Sequence, residues 1–156
     1  ALAKTSGSLW LMTVLDGHVI FSSKNGAGNL YASAGFYTLC KHFVDEFGPF
    51  WRMNYNEFIH FIEQYSLSLG FELVTRCLGE HGSVPKTDHL VLHTVVDRRT
   101  LGQYSPLVLV HLQERFKLQV PSIYVFRSSS DFLAVFSKLK WDLSVRAPEA
   151  DRSLRA

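Results

Sequence analysis

The chain has 156 residues, of which 47% are hydrophobic and 13% aromatic, and its formal net charge is +2. This composition excludes a disordered chain, because it provides enough apolar surface to bury a core. No apolar run approaches the roughly 18 residues of a membrane span, and the weak positive charge permits RNA contact without arguing for it. We therefore expect one domain at residues 1–143, followed by a polar tail or linker at 144–156.

The two cysteines, Cys40 and Cys77, both lie in apolar stretches of the sequence. Such spacing does not indicate a disulfide framework, so we interpret them as buried free thiols in a reduced compartment. The sequence therefore favours an intracellular protein, without separating nucleus, cytoplasm and plastid.

The first predicted strand, over about 8–15, is preceded by a lysine and a Ser-Gly-Ser turn. Residues 4–9 read Lys-Thr-Ser-Gly-Ser-Leu. Gly7 has no side chain, so a phosphate could approach its backbone closely, and the flanking serines offer hydroxyl groups. Lys4 could attack phosphorus if cationic neighbours or desolvation lowered its pKa from the usual value of about 10.4. The alternative is a solvated lysine at the start of a strand.

A hairpin follows, because an Asp-Gly pair separates the first strand from a second predicted strand over 18–24. The hairpin returns Lys24 to the end of the sheet that carries Lys4. Lys24 could bind a phosphate there, or it could be an ordinary surface lysine. The loop at 25–29 contains two glycines and two asparagines, which provide positive-φ conformations and open backbone amides. It could cradle a phosphate or simply connect two elements.

Two helices are predicted next. Apolar residues recur at helical spacing over 30–47, and a Gly-Pro pair ends that helix. A second helix is predicted over 55–68, with Asn54 as its N-cap and Glu57 as the partner in a capping box. Gly70 is interpreted as the residue that breaks this helix.

A buried strand with a single acid is predicted over 71–78. Burying the Glu72 carboxylate without a partner would be costly. Strand alternation points it away from its apolar neighbours, so it either faces water on a one-sided sheet or serves a function. The turn-rich loop at 79–85 carries His81, which could line a pocket or lie on the surface.

The second half of the chain begins with a predicted strand over 88–96 that carries His89 and His93. A structural zinc site needs about four Cys or His ligands, and the spacing does not supply them, so we predict no metal bound by these side chains. The remaining predicted elements are a helix over 105–117, a strand over 122–126 and a helix that starts at Ser129 or Ser130 and ends near residue 141.

Four stretches, taken together, resemble RNA ligases. Residues 4–9 resemble the Lys-x-x-Gly nucleotidyltransferase motif in the form used by plant and algal tRNA ligases and the related phage RNA ligase. Further stretches at 24–31, 71–82 and 122–126 resemble the plant family in the same order. The wider superfamily has Asp where this chain has Ser6, which matches the plant form. The resemblance implies an α+β fold with a mixed or antiparallel sheet of the lysyl-nucleotidyltransferase type.

The resemblance also implies an activity and a site. The activity would be ATP-dependent RNA ligation in tRNA splicing, in which Lys4 forms a lysyl-adenylate, AMP passes to an RNA 5′-phosphate, and an RNA 3′ end displaces AMP. Mg²⁺, held mostly through phosphates, would neutralise the developing charge. Glu72 would hydrogen-bond the ribose. The implied nucleotide-binding residues are Ser6, Gly7, Lys24 and Glu72, with His81 as a further residue that could line the pocket.

The implied partners are the two exon halves of a tRNA, with no membrane and with further domains of a longer chain. A Glu-Gly strand motif with a metal-binding carboxylate, and a later strand with phosphate-binding lysines, should follow in this family. Neither occurs after Trp141, so we expect residues 1–156 alone to be inactive. The alternatives are a non-catalytic module that binds nucleotide or RNA, and an α/β scaffold in which the Lys-x-x-Gly pattern is coincidental.

Overall fold

The computed structural model describes residues 2–3, 5–76 and 85–145. They fall into two compact units, one formed by residues 3–122 and the other by Leu2 with the chain from Ile123 onward. The strands are β1 (Ser8–Leu15), β2 (His18–Ser23), β3 (Leu67–Val74) and β4 (His89–Asp97), and the helices are α1 (Leu30–Phe47), α2 (Trp51–Gln64), α3 (Leu107–Phe116) and α4 (Ser129–Val145).

The four strands form one sheet in the order β2-β1-β3-β4, and every neighbouring pair is antiparallel. Trp10 on β1 lies opposite Ser23 on β2 and Phe71 on β3. The pairing of β3 with β4 shifts register between Gly70 and Phe71. The predicted combination of helices with a sheet is confirmed, and this sheet is antiparallel.

The helices of the larger unit cover one face of the sheet. That face carries Trp10, which is fully buried and donates its indole N–H to the Ala32 carbonyl oxygen of α1 at 2.9 Å. Phe58 of α2 lies between Phe43 of α1 and Phe116 of α3, with ring centroids 5.3 and 5.0 Å away. Burial of these aromatic side chains, together with the aliphatic residues of the core, stabilises the unit.

Within the larger unit, the described residues on the opposite face of the sheet are partly exposed. Leu9 and Leu11 of β1 and Ile20 of β2 are 41%, 40% and 46% exposed, because strand alternation places them on the other side from Trp10. This face also carries Glu72, the register partner of Leu9.

The first hairpin agrees with its prediction. Asp16 and Gly17 have φ values of 50° and 74°, the positive values that a tight two-residue hairpin turn requires. The Gly17 N–H donates to a carboxylate oxygen of Glu63 at 2.7 Å, which ties the turn to α2.

The prediction for the second helix is wrong in position. Helix α2 begins directly after a 3-10 turn at Gly48–Phe50 and ends at Gln64, four residues earlier than predicted. Asn54 lies inside the helix and donates to the Phe50 carbonyl oxygen at 3.0 Å. Glu57 forms an ion pair with Arg115 at 2.6 Å and takes no part in a capping box.

The strand predicted over 71–78 is also shifted, because β3 starts at Leu67. The chain reverses after α2 at Ser66, whose φ is 53°. Gly70 is therefore a strand residue, paired with Leu11 and Thr94, and it does not break a helix.

The remaining elements are close to their predictions, with two corrections. No regular strand forms over 122–126, where Ile123 makes a single bridge to Leu2. Helix α4 is capped by Ser128, whose hydroxyl accepts from the Asp131 N–H at 3.1 Å, and not by Ser129 or Ser130.

Cys40 carries a free, half-buried thiol, and burial raises its pKa. Cys77 lies outside the described residues. Within the described part of the chain, no helix combines the length and apolar character needed to cross a bilayer.

Candidate nucleotide-binding site

An open cavity of about 300 Å³ lies where the start of β1, the end of β2 and the first turn of α1 meet. Its volume is at the lower end of the range for small-ligand sites, roughly 300–1,000 Å³. Its wall combines backbone, hydroxyl, amide, phenol and ammonium groups. The lining residues are Gly7, Ser8, Leu9, Ser23, Lys24, Asn25 and Tyr31.

Two of the sequence-predicted residues, Gly7 and Lys24, line this cavity together. A third, Glu72, adjoins it through Gly7. A Cβ built on Gly7 would stand 2.5 Å from the Leu73 carbonyl oxygen and 2.9 Å from Glu72 Cγ. Only glycine permits this approach, because real Cβ contacts are not this short. The glycine of the Lys-x-x-Gly motif therefore packs directly on the strand that carries the acid.

The other predicted residues fall outside the cavity wall. Ser6 is exposed and precedes the lining segment. Lys4 and His81 lie outside the described residues. Their roles remain predictions, as does the ribose contact of Glu72.

Glu72 is half-buried on the face of the sheet opposite Trp10, as alternation along the strand predicted. Its register partner on β4 is Val91, and His93 lies at the register shift between Leu92 and Thr94. The Nε2 atom of His93 is buried and has no hydrogen-bond partner within the described parts of the chain. Burial lowers the pKa of His93, whereas the charge of Glu72 acts in the opposite direction. The sequence suggested His93 only as a metal ligand and gave no sign of the effect of Glu72 on it, which depends on sheet register.

The loop that follows β2 is held by short-range hydrogen bonds. Ser23 and Gly26 exchange backbone N–H···O bonds, each 3.1 Å long. The Asn25 N–H donates to Ser23 Oγ at 3.2 Å. Gly26 has a φ of 117°, which residues with a side chain rarely adopt. The loop thereby carries Lys24 and Asn25 in a defined conformation.

Helix α1 begins at the same cavity. Asn29 is its N-cap and accepts from the Ala32 N–H at 2.9 Å. Tyr31, in the first turn, reaches the cavity wall. The sequence placed Asn29 within a loop that could cradle a phosphate, but it gave no individual role to Asn29, Ser23 or Tyr31; the available signal was the Asn cap before a strongly periodic helix.

Across residues 2–3, 5–76 and 85–145, no three His, Cys, Asp or Glu side chains come close enough to hold a metal ion. Near the cavity, oxygen donors come from the Ser8 and Ser23 hydroxyls, the Asn25 amide and the adjoining Glu72 carboxylate. Oxygen ligands of this kind suit Mg²⁺ that arrives with a nucleotide and keeps most of its contacts to phosphates and water.

No family model matches the sequence. Among curated proteins, the chain is 29% identical over 144 residues to tRNA ligase 1 of Arabidopsis thaliana. The match covers 87% of this chain and 13% of the plant protein, so the chain spans about an eighth of that relative's length. The predicted resemblance to plant tRNA ligases is confirmed by this similarity.

Solved structures of Naegleria gruberi RNA ligase show a similar fold. The complex with PPi matches with a TM-score of 0.59 and 16% identity, covering 80% of this chain and 35% of that one. A variant with ATP and Mn matches equally well, again with a TM-score of 0.59, 16% identity and the same coverages. An apo R4a variant reaches 0.60 at 16% identity, over 86% of this chain and 39% of that one.

Proposed function

We propose that this chain carries the nucleotide-binding part of an ATP-dependent RNA ligase that acts in tRNA splicing. The most direct support for this proposal is that Gly7 and Lys24 line the same cavity, and that Glu72 packs against Gly7. These residues come from three separate stretches that resemble plant tRNA ligases. The sequence similarity to the plant tRNA ligase extends over 87% of the chain.

In the first step of the proposed reaction, the neutral Lys4 amine attacks the α-phosphorus of ATP. A P–N bond forms, the bond from the α-phosphorus to the bridging oxygen breaks, and pyrophosphate leaves while the nitrogen releases its proton to solvent. The Lys24 ammonium would neutralise phosphate charge. The Glu72 carboxylate would accept a hydrogen bond from a ribose hydroxyl, and the close approach that Gly7 permits would let a phosphate reach the backbone.

The later steps transfer AMP without further oxidants or reductants. The RNA 5′-phosphate attacks the lysyl-adenylate and releases Lys4, and the 3′-hydroxyl of a second RNA end then attacks the activated phosphate and releases AMP. Bound Mg²⁺ would supply charge neutralisation on the phosphates. The RNA partners would be exon halves of a tRNA.

We propose further that sealing uses parts of a longer protein. The plant relative and the Naegleria ligases extend well beyond the matched stretch. Carboxylates and lysines contributed by such additional chain would complete the phosphate and metal environment.

ATP binding by the protein in its full natural length tests the nucleotide site. Lys24→Ala should weaken ATP binding about ten- to a hundredfold, because a charge-assisted hydrogen bond contributes roughly 1.5–3 kcal/mol. Lys86→Ala removes an exposed lysine away from the cavity and is the matched control. Equal ATP affinity in the Lys24 variant and the control would contradict the proposed site.

A further inference from the structure

The Asn29 side chain forms hydrogen bonds both to the loop that carries Lys24 and to the first turn of α1. Its Oδ1 accepts from the Ala32 N–H at 2.9 Å. Its Nδ2 donates to Ser23 Oγ at 2.8 Å and to the Gly26 carbonyl oxygen at 2.9 Å. We propose that Asn29 is a positioning residue, which holds the loop so that Lys24 and Asn25 stay in the wall of the nucleotide cavity. This inference rests on the proposed role of Lys24 in nucleotide binding.

The helix cap alone does not explain an amide at this position. Ser and Asp cap helices about as well as Asn, and either would supply an acceptor for the Ala32 N–H. Asn differs because the same side chain also has two donor hydrogens. The amide nitrogen makes the two shorter contacts to the loop, and Oδ1 also lies 3.2 Å from Ser23 Oγ. The bond to the Gly26 carbonyl oxygen needs a donor, which an Asp carboxylate could not supply, so this contact favours Asn over Asp.

The contacts of Asn29 close a ring that includes the sheet. Asn29 binds Ser23, and Ser23 lies opposite Trp10 in the pairing of β1 with β2. The Trp10 indole donates to the Ala32 carbonyl oxygen, and the Ala32 N–H returns to Asn29. Ser23 is 7% exposed and Trp10 is fully buried. The loop is therefore attached to the buried core of the unit through the Asn29 side chain.

The bonds between Ser23 and Gly26, and from the Asn25 N–H to Ser23 Oγ, lie within the loop, whereas the Asn29 amide connects the loop to the start of α1. Gly26 and Gly28 both have positive φ, and glycine gives a chain unusual conformational freedom. The side chain of Lys24 is exposed. If the loop moved among several conformations, only a fraction of molecules would present Lys24 to a phosphate, and the apparent affinity would be the intrinsic affinity multiplied by that fraction.

Asn29→Ser separates the two roles, because it keeps a neutral capping oxygen and removes the amide donors. Asn54→Ser is the matched control, since Asn54 donates one comparable bond to the Phe50 carbonyl oxygen on α2. We expect Asn29→Ser to change the free energy of unfolding by less than about 1 kcal/mol, which corresponds to less than a fivefold change in the unfolding equilibrium. It should weaken ATP binding about five- to tenfold, while the control binds like the parent protein.

Two measurements distinguish positioning from a merely structural effect. Amide hydrogen exchange at Asn25 and Gly26 should accelerate in Asn29→Ser and not in the control. In a Lys24→Ala background, Asn29→Ser should change ATP binding less than about twofold, because there is no lysine left to position. Unchanged exchange at both amides, or full additivity of the two substitutions, would overturn the inference.

Failure of the proposed function has a different signature. If Lys24→Ala binds ATP normally, the site assigned to Lys24 is wrong, and with it the functional part of this inference. The exchange of the Asn25 and Gly26 amides would still decide whether the Asn29 side chain holds the loop.

Discussion

Gly7 lies against Glu72 so closely that a Cβ on the glycine would stand 2.9 Å from the glutamate Cγ. The two residues belong to different stretches of the sequence, and the antiparallel pairing of β1 with β3 brings them together. The contact connects the proposed phosphate-binding end of the cavity with the acid proposed to bind ribose.

Gly7→Ala should disrupt this contact. The added methyl group would lie 2.5 Å from the Leu73 carbonyl oxygen, and a backbone atom in a sheet cannot rotate away. Overpacking of this kind typically costs about 1–3 kcal/mol, and the segment before β1 should move off β3. We expect ATP binding to fall at least about tenfold, measured beside denaturant unfolding. At Gly102, used as the control, an added Cβ would meet only the Thr100 hydroxyl, at 3.1 Å. If Gly7→Ala and the control Gly102→Ala bind ATP with equal affinity, the close approach of Gly7 to β3 has no effect on nucleotide binding.

Glu72→Ala should impair nucleotide binding much more than folding. Loss of a charge-assisted hydrogen bond of roughly 1.5–3 kcal/mol lowers ATP affinity about ten- to a hundredfold. Glu72→Gln should recover part of that loss, because the amide oxygen still accepts. The exposed Glu114 on α3 offers a control with the same loss of charge. Normal ATP affinity in both Glu72 variants would mean that this carboxylate only faces solvent.

His93 should make stability fall at mildly acidic pH. Burial lowers its pKa in the folded protein, so the unfolded chain takes up a proton first as pH falls. The neutral histidine therefore contributes stability fully above the unfolded pKa of about 6.5, and this contribution is lost as pH drops from there toward the lowered folded value. Free energies of unfolding at pH 8 and pH 5.5 should differ less in His93→Gln than in the parent. The exposed His60 provides the control substitution, and an equal pH effect in both variants would contradict the assignment.

The parts of the fold that follow from local signals were predictable. The Asp-Gly turn and its flanking strands, and the periodic helix α1, agree with the structure because each signal lies within a few residues. Helix α2 was misplaced because Asn54 and Glu57 have the spacing of a capping box, whereas the chain uses them for a bond within the helix and for a contact with Arg115. Gly70 resembled a helix breaker although it pairs within β3.

The site could be predicted only in part, for a similar reason. The hairpin was enough to bring Lys24 to the end of the sheet where β1 begins. The contact of Gly7 with Glu72, and the effect of the Glu72 charge on His93, depend on the register of three strands, which a single sequence does not specify. The role of Asn29 depends on hydrogen bonds between a loop and a helix that no motif describes.

The most direct test of the account is covalent adenylylation of Lys4 in the protein in its full natural length. The protein is mixed with ATP and a divalent metal, and intact mass measurement with peptide mapping locates any AMP adduct. We expect one acid-labile, hydroxylamine-sensitive AMP on Lys4, and none in Lys4→Ala or in Lys4→Arg, because a guanidinium stays protonated and cannot attack phosphorus. An adduct of normal yield in Lys4→Ala would contradict the account.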